Sequence, residues 1–288
     1  MKSRRKGFDA YQMKMTAVVL MTIDHFGAYG SGIGLFGLLY TQLRLIGRLS
    51  APLFFFLITE SLCHTRSKPR FLMRLYLAAV CVGLCNCATN FFFTDAFGQR
   101  LESNILFDYF YLAFYCVVLE LLVIGIREQN TGRFLGAIFG LIGSCIPHLL
   151  WNLLMDIPGI WLLDPPKMYL CTDLIDSFVR SPLDVDYTIL FTAMGVAMYF
   201  ARSKERKALV LLLTGVICYF GKLLPVQYVA QIYTVLGYPQ WCMVFAVPFI
   251  LLYNSERGKN RKAFFYIYYP LHRLVIMAGA WAWTVAAT

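Results

Sequence analysis

Apolar residues collect into nine segments along the chain, at 14–37, 41–62, 71–94, 104–126, 134–154, 185–201, 208–224, 228–253 and 263–285. A bilayer-spanning helix needs about 20 apolar residues, in a range of about 17–25, so the pattern predicts nine transmembrane helices joined by short polar connections. Two stretches depart from it. Ile157-Pro-Gly-Ile-Trp-Leu-Leu163 is apolar but too short to span, and its Trp161 suits an interfacial or re-entrant segment. Segment 228–253 contains Gly237, Pro239 and Pro248, which predict a kink or break. No internal repeat, low-complexity tract or linker stands out, so residues 1–288 read as one domain.

Charge orders the connections. Beyond the N-terminal Lys2, Arg4, Arg5 and Lys6, basic clusters fall at Arg66/Lys68/Arg70/Arg74, Arg127/Arg133, Arg202/Lys204/Arg206/Lys207 and Arg257/Lys259/Arg261/Lys262, each after an even-numbered segment. The longest connection after an odd-numbered one, 155–184, is acidic, with Asp156, Asp164, Asp173, Asp176 and Asp184. The positive-inside rule then predicts a cytoplasmic N-terminus and an extracytoplasmic C-terminus.

Composition agrees. Of 288 residues 59% are apolar and 15% charged, against about 45–50% and about 25% in soluble domains. That excludes a disordered chain, a nucleic-acid-binding domain and an ordinary soluble enzyme. The net charge of +10, from 26 basic and 16 acidic residues, is explained by the cytoplasmic clusters, so no nucleic acid is expected. Most of the nine cysteines (Cys81, Cys85, Cys87, Cys116, Cys145, Cys218 and Cys242 among them) sit in apolar runs and read as buried thiols. No metal-ligand spacing appears, and no metal is expected. The first apolar run holds Asp24 and His25 and lacks a small-residue cleavage site, so it reads as a span rather than a signal peptide. The chain is expected to be a multi-pass protein in contact with membrane lipid.

The informative residues are the polar ones inside the spans. A charged side chain at the bilayer centre costs about 2.5–3.5 kcal/mol on the insertion scale, so such groups must pair or line a wet cavity. Span one carries Asp24-His25 near its middle, span two Arg44, Arg48 and Glu60, span four Glu120, span five His148, and span nine His272-Arg273. Several have plain structural readings. Arg44 can snorkel to the outer interface, His148 can be a satisfied packing residue, Glu120 can bond a neighbouring helix, and Tyr266 and Tyr269 can belong to an aromatic belt.

Depth selects the rest. At about 1.5 Å per residue, Asp24 and His25 lie about 15 Å above the cytoplasmic boundary, His272 about 13 Å and Arg48 about 20 Å. Asp24, His25, Arg48 and His272 can therefore share one layer. Asp24 and His25 point about 100° apart on a helix, so Asp24 is expected to orient Arg48 or His272 while His25 faces a reactant. Tyr266, Tyr269 and His272 are expected to form a stripe at i, i+3, i+6.

The run Thr22-Ile-Asp-His-Phe-Gly27 resembles the first-span signature of the TraX family, whose founding activity is N-terminal acetylation of conjugative pilin. Gly47-Arg-Leu-Ser-Ala-Pro-Leu-Phe-Phe-Phe-Leu57, continuing to Glu60 and His64-Thr-Arg66, is similar to the family's second span and following loop. Ser103-Asn-Ile-Leu-Phe107 resembles the opening of a middle span, Leu252-Tyr-Asn-Ser-Glu-Arg-Gly258 a late loop, and Phe264-Phe-Tyr-Ile-Tyr-Tyr-Pro-Leu-His272 the family's ending. Departures are Asp108, where Thr is usual, Ser255-Glu256 in the late loop, and the absence of the glycines that usually follow Asp186-Tyr187. More loosely, a mid-membrane His, a Phe-rich second span and an Arg-rich loop resemble the type-3 membrane acyltransferases.

The resemblance implies a membrane-embedded acyltransferase of the bacterial inner membrane that takes acetyl from acetyl-CoA. It implies a catalytic set of Asp24, His25, Arg48, Tyr269 and His272. Glu60, His64, Arg66, Arg70, Arg74, Asn254 and Arg257 would hold the cofactor, since acyl-CoA is cytosolic and its phosphates suit arginines. A neutral His25 imidazole can take the acceptor's proton, and Arg48 or a span-nine Tyr can stabilise the oxyanion. The acceptor is a surface protein or glycan: a pilin amine, a sugar hydroxyl or a lipid-linked intermediate. Two other readings stay open. A transporter or exporter with a proton relay through Asp24, Glu60 and His272 predicts flux without CoA dependence. A non-catalytic conjugation or assembly scaffold predicts tolerance to loss of the polar layer.

Overall fold

A computed structural model describes residues 6–30, 39–97, 100–221 and 240–287. Among these the chain is helical, with one parallel β-bridge between Phe8 and Tyr253. In order come α1 (Ala10–Gly30), α2 (Leu39–Gly47), α3 (Ser50–Cys63), α4 (Lys68–Phe97), α5 (Ile105–Arg127), α6 (Thr131–Gly143), α7 (Ile146–Met155), α8 (Pro158–Trp161), α9 (Pro165–Phe178), α10 (Thr188–Phe200) and α11 (Lys204–Gly221). A 3₁₀ segment Gln240–Ala246, α12 (Val247–Leu251) and α13 (Lys262–Ala287) complete the described chain.

Four stretches are long and apolar enough to cross a membrane: Leu39–Cys63, Lys68–Thr94, Ile105–Arg127 and Thr131–Met155. They make this a membrane protein, and they coincide with the second to fifth predicted spans. Ile189–Phe200 and Gln240–Leu251 are shorter apolar helices at the sixth and eighth. Helices α1, α11 and α13 overlie the first, seventh and ninth. The end of the first predicted span, the end of the seventh, and the 228–239 part of the eighth lie outside the described residues, as do Lys2, Arg4 and Arg5. The break expected near Pro239 and Pro248 corresponds, in its described part, to the change from 3₁₀ to α-helix at Val247.

Close contacts divide the chain into two compact units, Met1–Glu60 with Ala197–Thr288, and Ser61–Val196. In the first, α1 packs against α2 and α13, and α11 against the 3₁₀ segment and α12. Small residues set the first of these approaches. A Cβ on Gly47 would lie 2.2 Å from the Asp24 Cβ, and one on Gly27 3.0 Å from the Leu43 Cβ. Such residues let helix backbones meet where lipid offers no hydrophobic drive to association. The predicted second span is not continuous: it breaks at Arg48-Leu49, between α2 and α3. Helices broken at membrane depth are tolerated where the loosened backbone is enclosed by protein or lines a cavity.

The start of α1 is clasped by the 252–258 loop. Phe8 N–H donates to the Leu252 carbonyl (2.9 Å), Asn254 N–H to Phe8 (2.9 Å) and Ala10 N–H to Glu256 (2.8 Å). Asp9 then caps the helix: its carboxylate accepts from Gln12 N–H (2.8 Å) while the Gln12 side chain accepts from Asp9 N–H (3.0 Å). This is a capping box with Asp in place of Ser or Thr. Gly258 has φ +65°, and a side chain there would strike the Asp9 carboxylate at 2.4 Å.

In the second unit α4 packs on α5 and α9, and α5 on α6. Most of Thr131–Met155 faces outward, with Phe139, Ile142, Leu149 and Leu153 exposed, as suits a lipid-facing helix. The acidic connection 155–184 is not an open loop. Its α9 lies against α4, where Asp173 accepts from Asn90 Nδ2 (2.9 Å) and Arg100 Nη2 (2.7 Å). The thiol reading needs correction too. Cys87, Cys116, Cys218 and Cys242 are buried, but Cys81, Cys85 and Cys145 lie on exposed positions of their helices or turns.

Candidate active site

The centre of the first unit is a pair of histidines on different helices. His25 Nδ1 of α1 and His272 Nε2 of α13 are 2.7 Å apart. On its other side, His272 Nδ1 lies 2.8 Å from the Tyr268 carbonyl oxygen. A carbonyl can only accept, so His272 Nδ1 carries a proton and donates. In the neutral ring Nε2 is then a lone-pair acceptor, and the hydrogen between the rings belongs to His25 Nδ1. That leaves the His25 Nε2 with its lone pair: the second histidine fixes the tautomer and orientation of the first.

Aromatic rings hold the pair. Tyr268 stacks on His272 with ring centroids 5.0 Å apart and planes at 3°, and Tyr29 stacks on His25 at 5.7 Å. Both are i, i+4 neighbours of the histidine they cover. The Thr22 hydroxyl donates to the Val18 carbonyl (2.8 Å), so the Tyr268 hydroxyl donates to Thr22 at 2.6 Å. Arg273 Nε donates to the Tyr29 hydroxyl at 3.1 Å, and Arg273 is among the most deeply buried large side chains.

Asp24 points elsewhere. It is paired with Arg44, whose Nη1 is 2.5 Å from Asp24 Oδ2. The expectation that Asp24 orients His272 is thus corrected, and Arg44 joins Arg48 as its basic neighbour. Gly47 brings the α2 backbone against Asp24, and Arg44, one turn earlier, reaches it first. Arg44 is therefore turned into the protein rather than snorkelling outward. Arg48, at the helix break, donates to Gln240 Oε1 (3.2 Å) and stays within electrostatic reach of Asp24.

The expected Tyr266–Tyr269–His272 stripe is also corrected. Tyr266 is exposed, and Tyr269 touches His272 only obliquely, with centroids 6.0 Å apart. The close partner is Tyr268, because four residues is nearer a full helical turn for these long side chains than two steps of three. Tyr29, Tyr268, Arg273 and Gln240 were not assigned roles by sequence. The i, i+4 spacing of His25 with Tyr29 and of Tyr268 with His272 was the available signal.

The residues expected to hold a cofactor divide into three kinds. His64, Arg66, Arg70 and Arg74 are exposed at the turn before α4 and on its first turns, with Arg70 and Arg74 on one face. Arg257 is exposed in the 252–258 loop. Glu60 and Asn254 have intrachain roles: Glu60 pairs with the buried Lys207. Asn254 is buried and accepts from Glu256 N–H at 2.8 Å while its amide faces the Gly7 carbonyl at 3.4 Å. Of the other polar residues expected inside spans, Glu120 pairs with Lys68. His148 bonds Ser181 Oγ (2.9 Å) and Asn152 (3.1 Å), in keeping with a satisfied packing residue.

The fold and site define a helical membrane protein with a paired-histidine centre. The family described as TraX protein matches residues 10–164, more than half of the chain, and the chain belongs to the TraX family. A probable fimbrial assembly protein FimC, serogroup H1, from Dichelobacter nodosus is 35% identical over 78 residues, 27% of this chain and 31% of that protein. The chain thus matches less than a third of that relative's length. No solved structure matches the chain significantly.

Proposed function

We propose that this protein is a multi-pass acyltransferase of the bacterial cytoplasmic membrane, with its N-terminus in the cytoplasm, that transfers acetyl from acetyl-CoA to an amine or hydroxyl of a surface-bound acceptor. The observation that carries the reading is the directed hydrogen-bond chain from His25 through His272 to the Tyr268 carbonyl, which leaves His25 Nε2 as a base. Membership of a family associated with pilin acetylation supports the chemistry. The relative named for fimbrial assembly makes a pilin-type amine one reasonable acceptor, beside a sugar hydroxyl.

The acceptor nitrogen or oxygen attacks the thioester carbonyl carbon while His25 Nε2 takes its proton. The new C–N or C–O bond forms, the C–S bond breaks, and the imidazolium returns the proton to the departing CoA sulfur. Arg48, near the histidines, is suited to the developing oxyanion. The exposed Arg66, Arg70 and Arg74 suit the phosphates of the donor on the cytoplasmic side. Purified protein in detergent is expected to bind labelled acetyl-CoA, and the combined Arg66→Ala, Arg70→Ala, Arg74→Ala variant to bind it at least about tenfold more weakly. Absence of binding, or equal binding by the triple variant, would overturn the donor assignment.

A further inference from the structure

Two polar contacts about one turn apart join α1 to α13 at the histidine pair. One runs between His25 Nδ1 and His272 Nε2 (2.7 Å); in the other the Tyr268 hydroxyl donates to Thr22 Oγ1 at 2.6 Å. Thr22 precedes His25 by three residues and Tyr268 precedes His272 by four. Each hydroxyl therefore shares a helix face with the histidine it accompanies. The direction of the hydroxyl bond is fixed, because Thr22 gives its own proton to the Val18 carbonyl (2.8 Å). Tyr268 touches His272 twice, through a ring whose plane lies 3° from the imidazole and through the carbonyl oxygen 2.8 Å from Nδ1. Its third contact, the hydroxyl, reaches across to the helix that carries His25.

Helix α13 has a reason to need such a tie. Pro270 lies inside it, between Tyr268 and His272. Proline has no N–H to donate to the carbonyl four residues back, here that of Tyr266, so the backbone ladder is interrupted within a turn of His272. A slip of about 1 Å between the two helices would stretch the 2.7 Å contact of the histidines past hydrogen-bonding distance. His25 Nδ1 would then lose its acceptor, and either ring nitrogen could carry the proton. We propose that Thr22 and Tyr268 are positioning residues for His25. Their hydroxyl bond pins α13 to α1 beside the proline, keeps His272 in place as the acceptor, and so holds the lone pair on His25 Nε2. That this pin serves a transfer rests on the acyl-transfer reading; the pinning of the histidine pair does not.

The test reads the histidine tautomer and the turnover of the full chain in uncharged detergent. Nitrogen chemical shifts of isotope-labelled histidine at mildly alkaline pH report which ring nitrogen carries the proton, and the spectrum of His25→Ala identifies the His25 signals. The wild type is expected to show His25 protonated at Nδ1 alone. Tyr268→Phe keeps the stacked ring and loses the hydroxyl, and Thr22→Val keeps the shape and loses the acceptor. Each is expected to give a mixture of His25 tautomers. Each should also lower kcat for acetyl transfer about tenfold, with KM for acetyl-CoA unchanged and an altered pH–rate profile. Thr22→Ser, which can again accept, is expected to recover both readouts. Because one bond carries the effect, the double variant Thr22→Val, Tyr268→Phe should be no worse than either single one. A lowered melting temperature with the His25 signals unchanged, or losses in kcat that multiply in the double variant, overturns the positioning role. The expected change of tautomer in a protein that transfers no acetyl group sinks the acyl-transfer reading while the pin stands.

Discussion

Each unit of the molecule holds a partly buried charge cluster, the first rich in arginine and the second in aspartate. In the first, Arg44 pairs with Asp24 and Arg48 stands one turn further along the same stretch; in the second, Asp108, Asp176 and Asp186 surround Arg180. The acid surplus is met from within the chain. Asp108 accepts from the backbone N–H of Asp186 (3.2 Å) and Tyr187 (2.9 Å), and Asp176 from the Trp151 indole (2.7 Å). Arg180 spends its donors on Asp176 and Asp186 (both 3.4 Å) and on the Asp184 and Glu102 carbonyls (both 3.1 Å). Burial pushes the Asp176 carboxyl up, with Arg180 and Trp151 opposing that shift.

The difference lies in the backbone. The second cluster sits where 179–187 is irregular, so loop N–H and C=O groups are free to turn toward it. The first is packed among α1, α2 and α13, whose interior carbonyls are consumed by helical bonds, apart from special cases such as the Tyr268 oxygen. Charges beside a loop can be met by backbone groups; charges between helices are met by side chains, as Arg44 is by Asp24 and Arg48 by Gln240. The acidic cluster is accordingly a lock that closes the 178–187 segment onto α5.

Substitutions can break or sharpen that contrast. Arg180→Met should destabilise most, by about 3–5 kcal/mol, because it removes the cation that three neighbouring aspartates share. Denaturant unfolding in micelles measures it, and a loss under about 1 kcal/mol would remove the lock. His272→Ala should lower acetyl transfer about 10–100-fold at unchanged melting temperature and alter the pH–rate profile, with partial recovery in His272→Gln, whose amide oxygen can again accept from His25. An unchanged profile would reduce His272 to packing. Gly47→Ala, which places a methyl against Asp24, is expected to cost about 1–3 kcal/mol in the same unfolding assay. Arg48→Gln should change stability least, by about 1 kcal/mol or less, since it relieves like-charge repulsion and keeps a donor for Gln240. A loss as large as that of Arg180→Met would show that the two clusters do the same job.

Much of this was legible in the chain. Four spans from Leu39 to Met155 follow from apolar runs alone, and depth arithmetic placed His25 and His272 in one layer, where they meet. Pairing within the layer was not legible. Depth gives height but not azimuth, so Asp24 was assigned to Arg48 or His272 when Gly47 hands it to Arg44. The break at Arg48-Leu49 leaves no Pro or Gly pair at the break itself, only Gly47 before it and Pro52 after. Composition likewise hid α9: its Asp173 and Asp176 look like the charges of a solvated loop, yet both bond inward. Asn254 and Glu60 carried family-like motifs whose roles, in the structure, are to hold the N-terminal segment and Lys207.

The central claim is that His25 is the base of an acetyl transfer to a surface acceptor. Mass spectrometry of cell-surface protein and glycan from cells making either the wild type or His25→Ala, at equal membrane levels of the two, tests it most directly. The account predicts a species heavier by one acetyl group in wild-type cells and its loss with His25→Ala. The same acetylated species at equal abundance in both strains would contradict it.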